Sequence, residues 1–174
     1  MFDLLARLRT RLGLVVGAAA FWLAQPTLRS IAVGSAVAAL GEALRIWAAG
    51  HLQKSREVTA SGPYRWVAHP LYVGSSLLGA GLAVASASVI VAILIGVYLA
   101  VTILAAVRTE EASLRTQFGG AYDAYKDGRA PAPARRFSFE RAIANGEHRT
   151  MAGIAAAVLL LALKATYNGL LSLE

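Results

Sequence analysis

Two short stretches of this sequence hold most of the side chains that could do chemistry. The first, 62–74, reads Gly-Pro-Tyr-Arg-Trp-Val-Ala-His-Pro-Leu-Tyr-Val-Gly and sets Tyr64, Arg65, His69, Tyr72 and Gly74 at the mouth of a long apolar run. Pro70 suits the first turn of a helix and biases the residue before it away from helical backbone, so His69 is expected at a helix entrance. Free backbone N–H groups and the positive end of a dipole collect there, which suits a carboxylate or phosphate on a ligand. An interfacial turn whose aromatics anchor a membrane helix would use the same residue types.

The second stretch is Arg108-Thr109-Glu110-Glu111-Ala112-Ser113-Leu114, followed by Phe118-Gly119, Tyr122 and Tyr125. Adjacent carboxylates on a helix point about 100° apart and cannot both use one neighbour. One can pair with Arg108 or with Arg115, which stands four residues from Glu111, while the other faces inward. A carboxylate there could hold an ammonium or the hydroxyls of a ribose; a solvated charge run leaving a membrane is the plainer alternative. A third polar spot, Glu42 with Arg45, interrupts an otherwise apolar run. Ionisable residues inside a bilayer usually face a bundle interior or cavity, so this is either a structural pair or the place for a substrate's reacting head.

The elements that must position these groups are membrane helices. Of 174 residues, 57% are hydrophobic and 16% charged, with a mean hydropathy of +0.55, which leaves too little polar surface for a water-soluble globule. Against the roughly 20 apolar residues that a spanning helix needs, 12–23 is short and spans only if the helix begins near Leu4 with its arginines snorkelling. The run 31–49 is a full span. The run 71–107 carries no charged side chain and is long enough for two helices, bent at Ser86-Ala87-Ser88. A last span, 150–171, is interrupted only by Lys164. The expected architecture is an all-α integral membrane domain over 1–174, with about five transmembrane helices. Its parts are two helices in 1–49, a cytoplasmic loop at 50–70, a helical hairpin at 71–107, a cytoplasmic segment of short amphipathic helices at 108–149, and the last helix.

Charge distribution orients this layout. The formal net charge is +7, and the basic residues collect in the gaps between apolar runs. With the amino end cytoplasmic, 14 of the 17 basic residues fall on the inner side. Both polar stretches then share that face, where they can meet. The same distribution argues against nucleic-acid binding, which needs a basic face interleaved with stacking aromatics. Cysteine is absent, which removes disulfides and thiolate chemistry. His51, His69 and His148 share no helical-face spacing, so no metal site is expected. Gly79-Ala80-Gly81 is not a nucleotide loop, because no strand precedes it. The arginines ahead of the first apolar run lack a small-residue cleavage site, so this end is expected to remain as an anchor.

Taken together, the Gly62-Pro63-Tyr64-Arg65 and His69-Pro70-Leu71-Tyr72-Val73-Gly74 motif, the Glu110-Glu111 motif with Leu114, Phe118-Gly119, Tyr122 and Tyr125, and the preceding Leu44-Arg45-Ile46-Trp47-Ala48-Ala49-Gly50 resemble the isoprenylcysteine carboxyl methyltransferase family. That family belongs to a wider group with the phospholipid N-methyltransferases. The resemblance covers roughly residues 41–125. It implies an integral-membrane enzyme that moves a methyl group from S-adenosylmethionine to a lipophilic acceptor arriving sideways from the bilayer. It also implies that Tyr64, Arg65, His69, Tyr72 and Gly74 line the cofactor pocket, with Glu110 and Glu111 closing its other side. On this reading Arg45 fixes the acceptor's head group, and Glu111 positions the cofactor ammonium or takes up an acceptor proton.

Two positions depart from the family pattern. Ala68 stands where an arginine commonly precedes His-Pro, and Ala130-Pro131-Ala132-Pro133 stands near the usual Val-Pro-Arg. Prenylcysteine, a phospholipid amine and an isoprenoid or phenolic small molecule therefore all stay open as acceptor, as does oligomeric state. A sterol-type membrane reductase and a non-enzymatic helical scaffold are the competing readings.

Overall fold

The computed structural model describes residues 2–54, 56–129 and 135–171, with side chains between 11 and 170. The described residues form helices and loops without strands: α1 (Phe2–Leu23), α2 (Leu28–His51), a short 3-10 turn (Gly62–Arg65), α3 (Pro70–Ser86), α4 (Val89–Phe118), α5 (Gly120–Lys126), α6 (Phe139–Ala144) and α7 (Glu147–Leu171). Three of these, α2, α4 and α7, are long and apolar enough to cross a membrane; 11–23 and α3 are shorter apolar helices. The seventeen residues of α3 extend about 25 Å, slightly less than the roughly 30 Å hydrocarbon core.

Helix α2 begins where Pro26 stops the chain and Thr27 forms a capping box with Ser30. The Ser30 N–H donates to Thr27 Oγ1 at 3.0 Å, and the Thr27 N–H donates to Ser30 Oγ at 2.9 Å. At its far end the last carbonyls of α2 are taken by the segment before α7. Asn145 donates to Ala49 O at 2.9 Å and to Leu52 O at 3.0 Å, Arg141 to Gly50 O at 2.7 Å, and Arg135 to His51 O at 3.2 Å. Helix ends leave such carbonyls open, and cations and amides here satisfy them.

Helices α2 and α3 pack through bare backbone. A Cβ added to Gly34 would stand 2.4 Å from Gly81 O, one on Gly81 would stand 2.4 Å from Ala38 N, and one on Gly41 would stand 2.6 Å from Gly74 O. This is the close approach that small residues permit between membrane helices. The hairpin bend lies at the expected place: α3 ends at Ser86, Ala87 takes a left-handed conformation at φ 49, and Ser88 caps α4 by accepting from Val91 N. The α3 carbonyls exposed by that bend are bonded by Gln25 N (to Ser86 O, 2.8 Å) and Ser30 Oγ (to Ala85 O, 3.0 Å).

Three features differ from the sequence reading. Helix α4 does not stop at Val107 but continues to Phe118, because 108–118 contains neither glycine nor proline and several strong helix formers. Gly119, at φ 48, ends it. Helix α7 starts at Glu147, before Thr150, directly after Gly146 at φ 94. Lys164 donates to Phe21 O and Trp22 O, at 2.6 and 2.7 Å, and so closes the end of α1. The Ala130-Pro131-Ala132-Pro133 departure lies outside the described residues.

The α2–α3 crossing makes a direct prediction. Gly81→Val should lower stability by about 1–3 kcal/mol through overpacking against α2 backbone, read as a lower melting temperature in detergent. Gly17→Ala, whose new Cβ meets nothing within 4 Å, should leave it unchanged or slightly raised.

Candidate active site

Pro70 opens α3, and His69 stands at its N-cap with φ −131 and ψ 62. The His69 ring makes no capping bond and turns instead to α4, where Nε2 lies 3.1 Å from Glu111 Oε1 and Nδ1 lies 4.0 Å from Glu110 Oε2. One turn into α3, the Tyr72 hydroxyl donates to Glu110 Oε2 at 2.8 Å, and the His69 and Tyr72 rings are 5.8 Å apart. Each carboxylate of the Glu110-Glu111 pair thus has its own partner, as their divergent directions require. The two sequence motifs, separated by some forty residues, touch through these contacts.

Helix α5 folds back over the same cluster. Lys126 donates to Glu111 Oε1 at 2.8 Å. Tyr125 donates to the Tyr64 carbonyl at 2.8 Å, tying α5 to the 3-10 turn, and its ring lies 6.2 Å from that of Tyr122. Tyr122 is 1% exposed, and its hydroxyl lies within reach of the Glu111 carboxylate. Burial, and then the charge of Glu111, push the Tyr122 phenol above its ordinary range; burial and then Glu110 do the same to Tyr64. Burial also raises the Tyr125 phenol. All three stay neutral donors at physiological pH. The Glu110 side chain is 44% exposed against 21% for Glu111, so Glu110 forms the more open side of the cluster.

Other expected site residues lie elsewhere. Gly74 faces α2, and an added Cβ there would meet Arg45 Cγ at 2.6 Å and Gly41 O at 2.7 Å, so its bareness serves the helix crossing. Arg65 is exposed at the end of the 3-10 turn. Arg45 is engaged within the chain: Nε and Nη2 donate to the two oxygens of Glu147 at 3.1 and 3.0 Å, Nη2 also donates to Thr150 Oγ1, and Nη1 donates to Ser75 Oγ. The guanidinium therefore joins α2, α3 and α7. Glu42 lies 3.6 Å from Arg45 Nε. Glu111 is held by His69 and Lys126, while Arg115 sits 3.5 Å from Asp123 rather than on the carboxylate four residues before it.

Sequence reasoning passed over Lys126 and Glu147. Lys126 directly follows Tyr125, and a lone cation closing a tyrosine-bearing turn beside two carboxylates was a usable signal. Glu147 heads the last apolar run and is 4% exposed. Arg45 had a carboxylate beside it already in Glu42, so nothing in the local pattern pointed to a second one a hundred residues away.

An all-helical membrane protein is thereby defined, with two polar motifs from distant parts of the chain joined at the end of a helical hairpin. A family model for phospholipid methyltransferases matches residues 12–121, more than half of the chain, and the chain belongs to that family of membrane methyltransferases, within the wider group that its motifs resemble. Comparison with curated proteins and with solved structures gave no match. The family match ends one residue before Tyr122, so α5 beyond that point and the Glu147 anchor lie outside it.

The Arg45–Glu147 pair gives a second prediction. Glu147→Ala should destabilise the protein by about 2 kcal/mol, because it removes the bidentate partner of a half-buried guanidinium and leaves it Glu42 at 3.6 Å. Adding Arg45→Met to that variant should recover much of the loss. Thermal unfolding of the three proteins in one detergent measures both effects.

Proposed function

We propose that this protein transfers a methyl group from S-adenosylmethionine to a lipophilic acceptor at the cytoplasmic face of a membrane. Five helices, α1, α2, α3, α4 and α7, cross or enter the bilayer, with the amino end and the His69–Glu111 cluster on the inner side. The observation that carries this reading is the 3.1 Å contact between His69 and Glu111 in a chain of this family.

The donor set fits such a cofactor. Glu110 and Glu111 retain acceptor capacity for an ammonium and for ribose hydroxyls, since each carboxylate has several lone-pair sites. The half-buried rings of Tyr72 and Tyr125 supply flat apolar surface for a base. When bound, the cofactor supplies an electrophilic methyl on a sulfonium.

Transfer to an acceptor is an in-line displacement in which charge is lost, so the chain's work is alignment and exclusion of water. Lys126 and His69 fix the Glu111 carboxylate from two sides, and Tyr72 fixes Glu110. Hydrogen bonds from Lys126 and then His69 pull the Glu111 carboxyl down to about 2, so it stays ionised and positions the cationic end of the cofactor rather than serving as a base; a carboxylate acceptor needs none. Arg45 acts through the helices that it joins, as a positioning residue. A phospholipid and a prenylcysteine-like carboxylate are both acceptors of the required class.

Glu111→Gln should reduce turnover on the order of a hundredfold without changing the melting temperature in detergent. His69→Ala should weaken S-adenosylhomocysteine binding about tenfold, measured by calorimetry. Normal turnover in the first variant, or unchanged affinity in the second, would remove that residue from the site. Wild-type protein that binds NADPH rather than S-adenosylhomocysteine would turn the assignment toward a reductase.

A further inference from the structure

The proposed chemistry leaves one buried histidine unused. His51, the last residue of α2, is 5% exposed, and its Nδ1 lies 3.1 Å from Ser61 Oγ. Ser61 is itself fully buried and is the N-cap of the 3-10 turn, where its carbonyl accepts from Tyr64 N at 3.3 Å. Gly62 follows at φ 59, and a Cβ there would stand 2.5, 2.6 and 2.8 Å from His51 Cδ2, Cγ and Nε2. The imidazole therefore lies on bare backbone at the first residue of the Gly62-Pro63-Tyr64-Arg65 motif. Glycine meets two demands at this position, a positive φ and room for a ring.

The turn passes this placement on to the cluster. Tyr64 is buried within it, and Tyr125 donates to the Tyr64 carbonyl at 2.8 Å, which ties the turn to the helix that ends in Lys126. The Trp66 and Val67 N–H groups donate to Pro63 O at 3.1 and 3.2 Å, and His69 stands two residues further on. His51 is in turn held by the segment before α7. The Phe137 ring lies 6.3 Å from the imidazole and is seated on Gly50, where a Cβ would stand 2.2 Å from Phe137 Cε2. Arg135, paired with Glu57, donates to His51 O at 3.2 Å. This segment lies outside the family match at 12–121, so His51 joins it to a motif inside that match.

We infer that His51 is a positioning residue for the proposed methyl transfer: it fixes the 3-10 turn against the end of α2 and so sets where Tyr64 and His69 stand. It works through Ser61 and the Gly62 backbone rather than on the reacting groups. The inference rests on the proposed function for what the turn serves, and on these contacts for the placement.

The test reads placement and function separately, on the full-length protein in detergent. The Trp66 ring at the end of the turn lies 5.7 Å from Trp47 on α2, so the fluorine NMR resonance of Trp66 in fluorotryptophan-labelled protein reports where the turn sits. Calorimetry with S-adenosylhomocysteine reports the site. His51→Ala should move the Trp66 resonance and weaken binding about tenfold, the order of one lost hydrogen bond. His51→Asn, which keeps a polar atom where Nδ1 stood, should recover most of both. Ser61→Ala removes the same bond from the other side; it should act in the same direction, add little to His51→Ala, and serve alone should that variant fold poorly. Lys164→Ala, which frees the end of α1 instead, should lower the melting temperature and leave both readouts unchanged.

An unmoved Trp66 resonance in both His51→Ala and Ser61→Ala would overturn the inference, as would a loss of affinity in Lys164→Ala equal to that in His51→Ala. A moved resonance with unchanged affinity would also overturn it and leave methyl transfer standing. A moved resonance in a protein whose wild type binds no S-adenosylhomocysteine would uphold the placement and reject methyl transfer.

Discussion

Helix α3 meets α2 without side chains between them, and the position of α3 governs the rest of the structure. With Gly41 against Gly74 and Gly34 against Gly81, the contact allows little sliding or rotation, since any larger residue at these points would strike backbone. Fixing α3 in this way fixes which of its faces remains for α4. The face bearing Gly74 and Gly81 is consumed by α2, and the face bearing Tyr72, Ser76 and Gly79 is presented to α4. His69, at the entrance of the same helix, is thereby aimed at Glu111. A polar cluster at a membrane boundary needs such rigid support, because its side chains can be no better placed than the helices that carry them.

Arg45 extends the same arrangement to the last helix. Its stem lies over Gly74, and its guanidinium reaches Ser75 on α3 and Glu147 and Thr150 on α7. The segment before α7 is held separately by the bonds from Arg135, Arg141 and Asn145 to the end of α2. These two sets of contacts compensate each other's exposed groups: α2 ends in carbonyls that need donors, and Arg45 needs a carboxylate that α7 brings. A charge inside a bilayer persists only with such partners, and here the partners also bind three helices into one packing unit.

Much of this was legible in the sequence. Pro70 marked the entrance of α3, Ser86-Ala87-Ser88 marked the bend, and charge asymmetry put the two polar stretches on one side, where the structure joins them. What escaped were features decided by long-range packing. Gly74 belongs to a motif that also carries His69 and Tyr72, so motif logic assigned it to the pocket, whereas on the helix it faces the opposite way. Helical spacing offered one of the two carboxylates Arg108 or Arg115 as a partner, but the contacts of Glu111 with His69 and Lys126 come from tertiary packing that spacing does not show. The polar composition of 108–118 implied an early exit from the helix; its helix-forming residues continued α4, and that extension is what carries the carboxylates to α3.

The extension of α4 also sets how it meets α3. Tyr72 stands about four turns from the bend along α3, whereas Glu110 stands about six turns from it along α4, a difference of about 10 Å. The two helices are therefore bridged with a lengthwise offset, and a groove of about 650 Å³ lies between them. Leu99 closes it at Gly79, where an added Cβ would stand 2.2 Å from Leu99 Cδ1, and small residues at 80, 83, 92, 96 and 100 line the rest; in water such a seam would collapse or recruit larger side chains to bury apolar area. In a bilayer the surroundings are already hydrocarbon, so a seam of this kind has little drive to close.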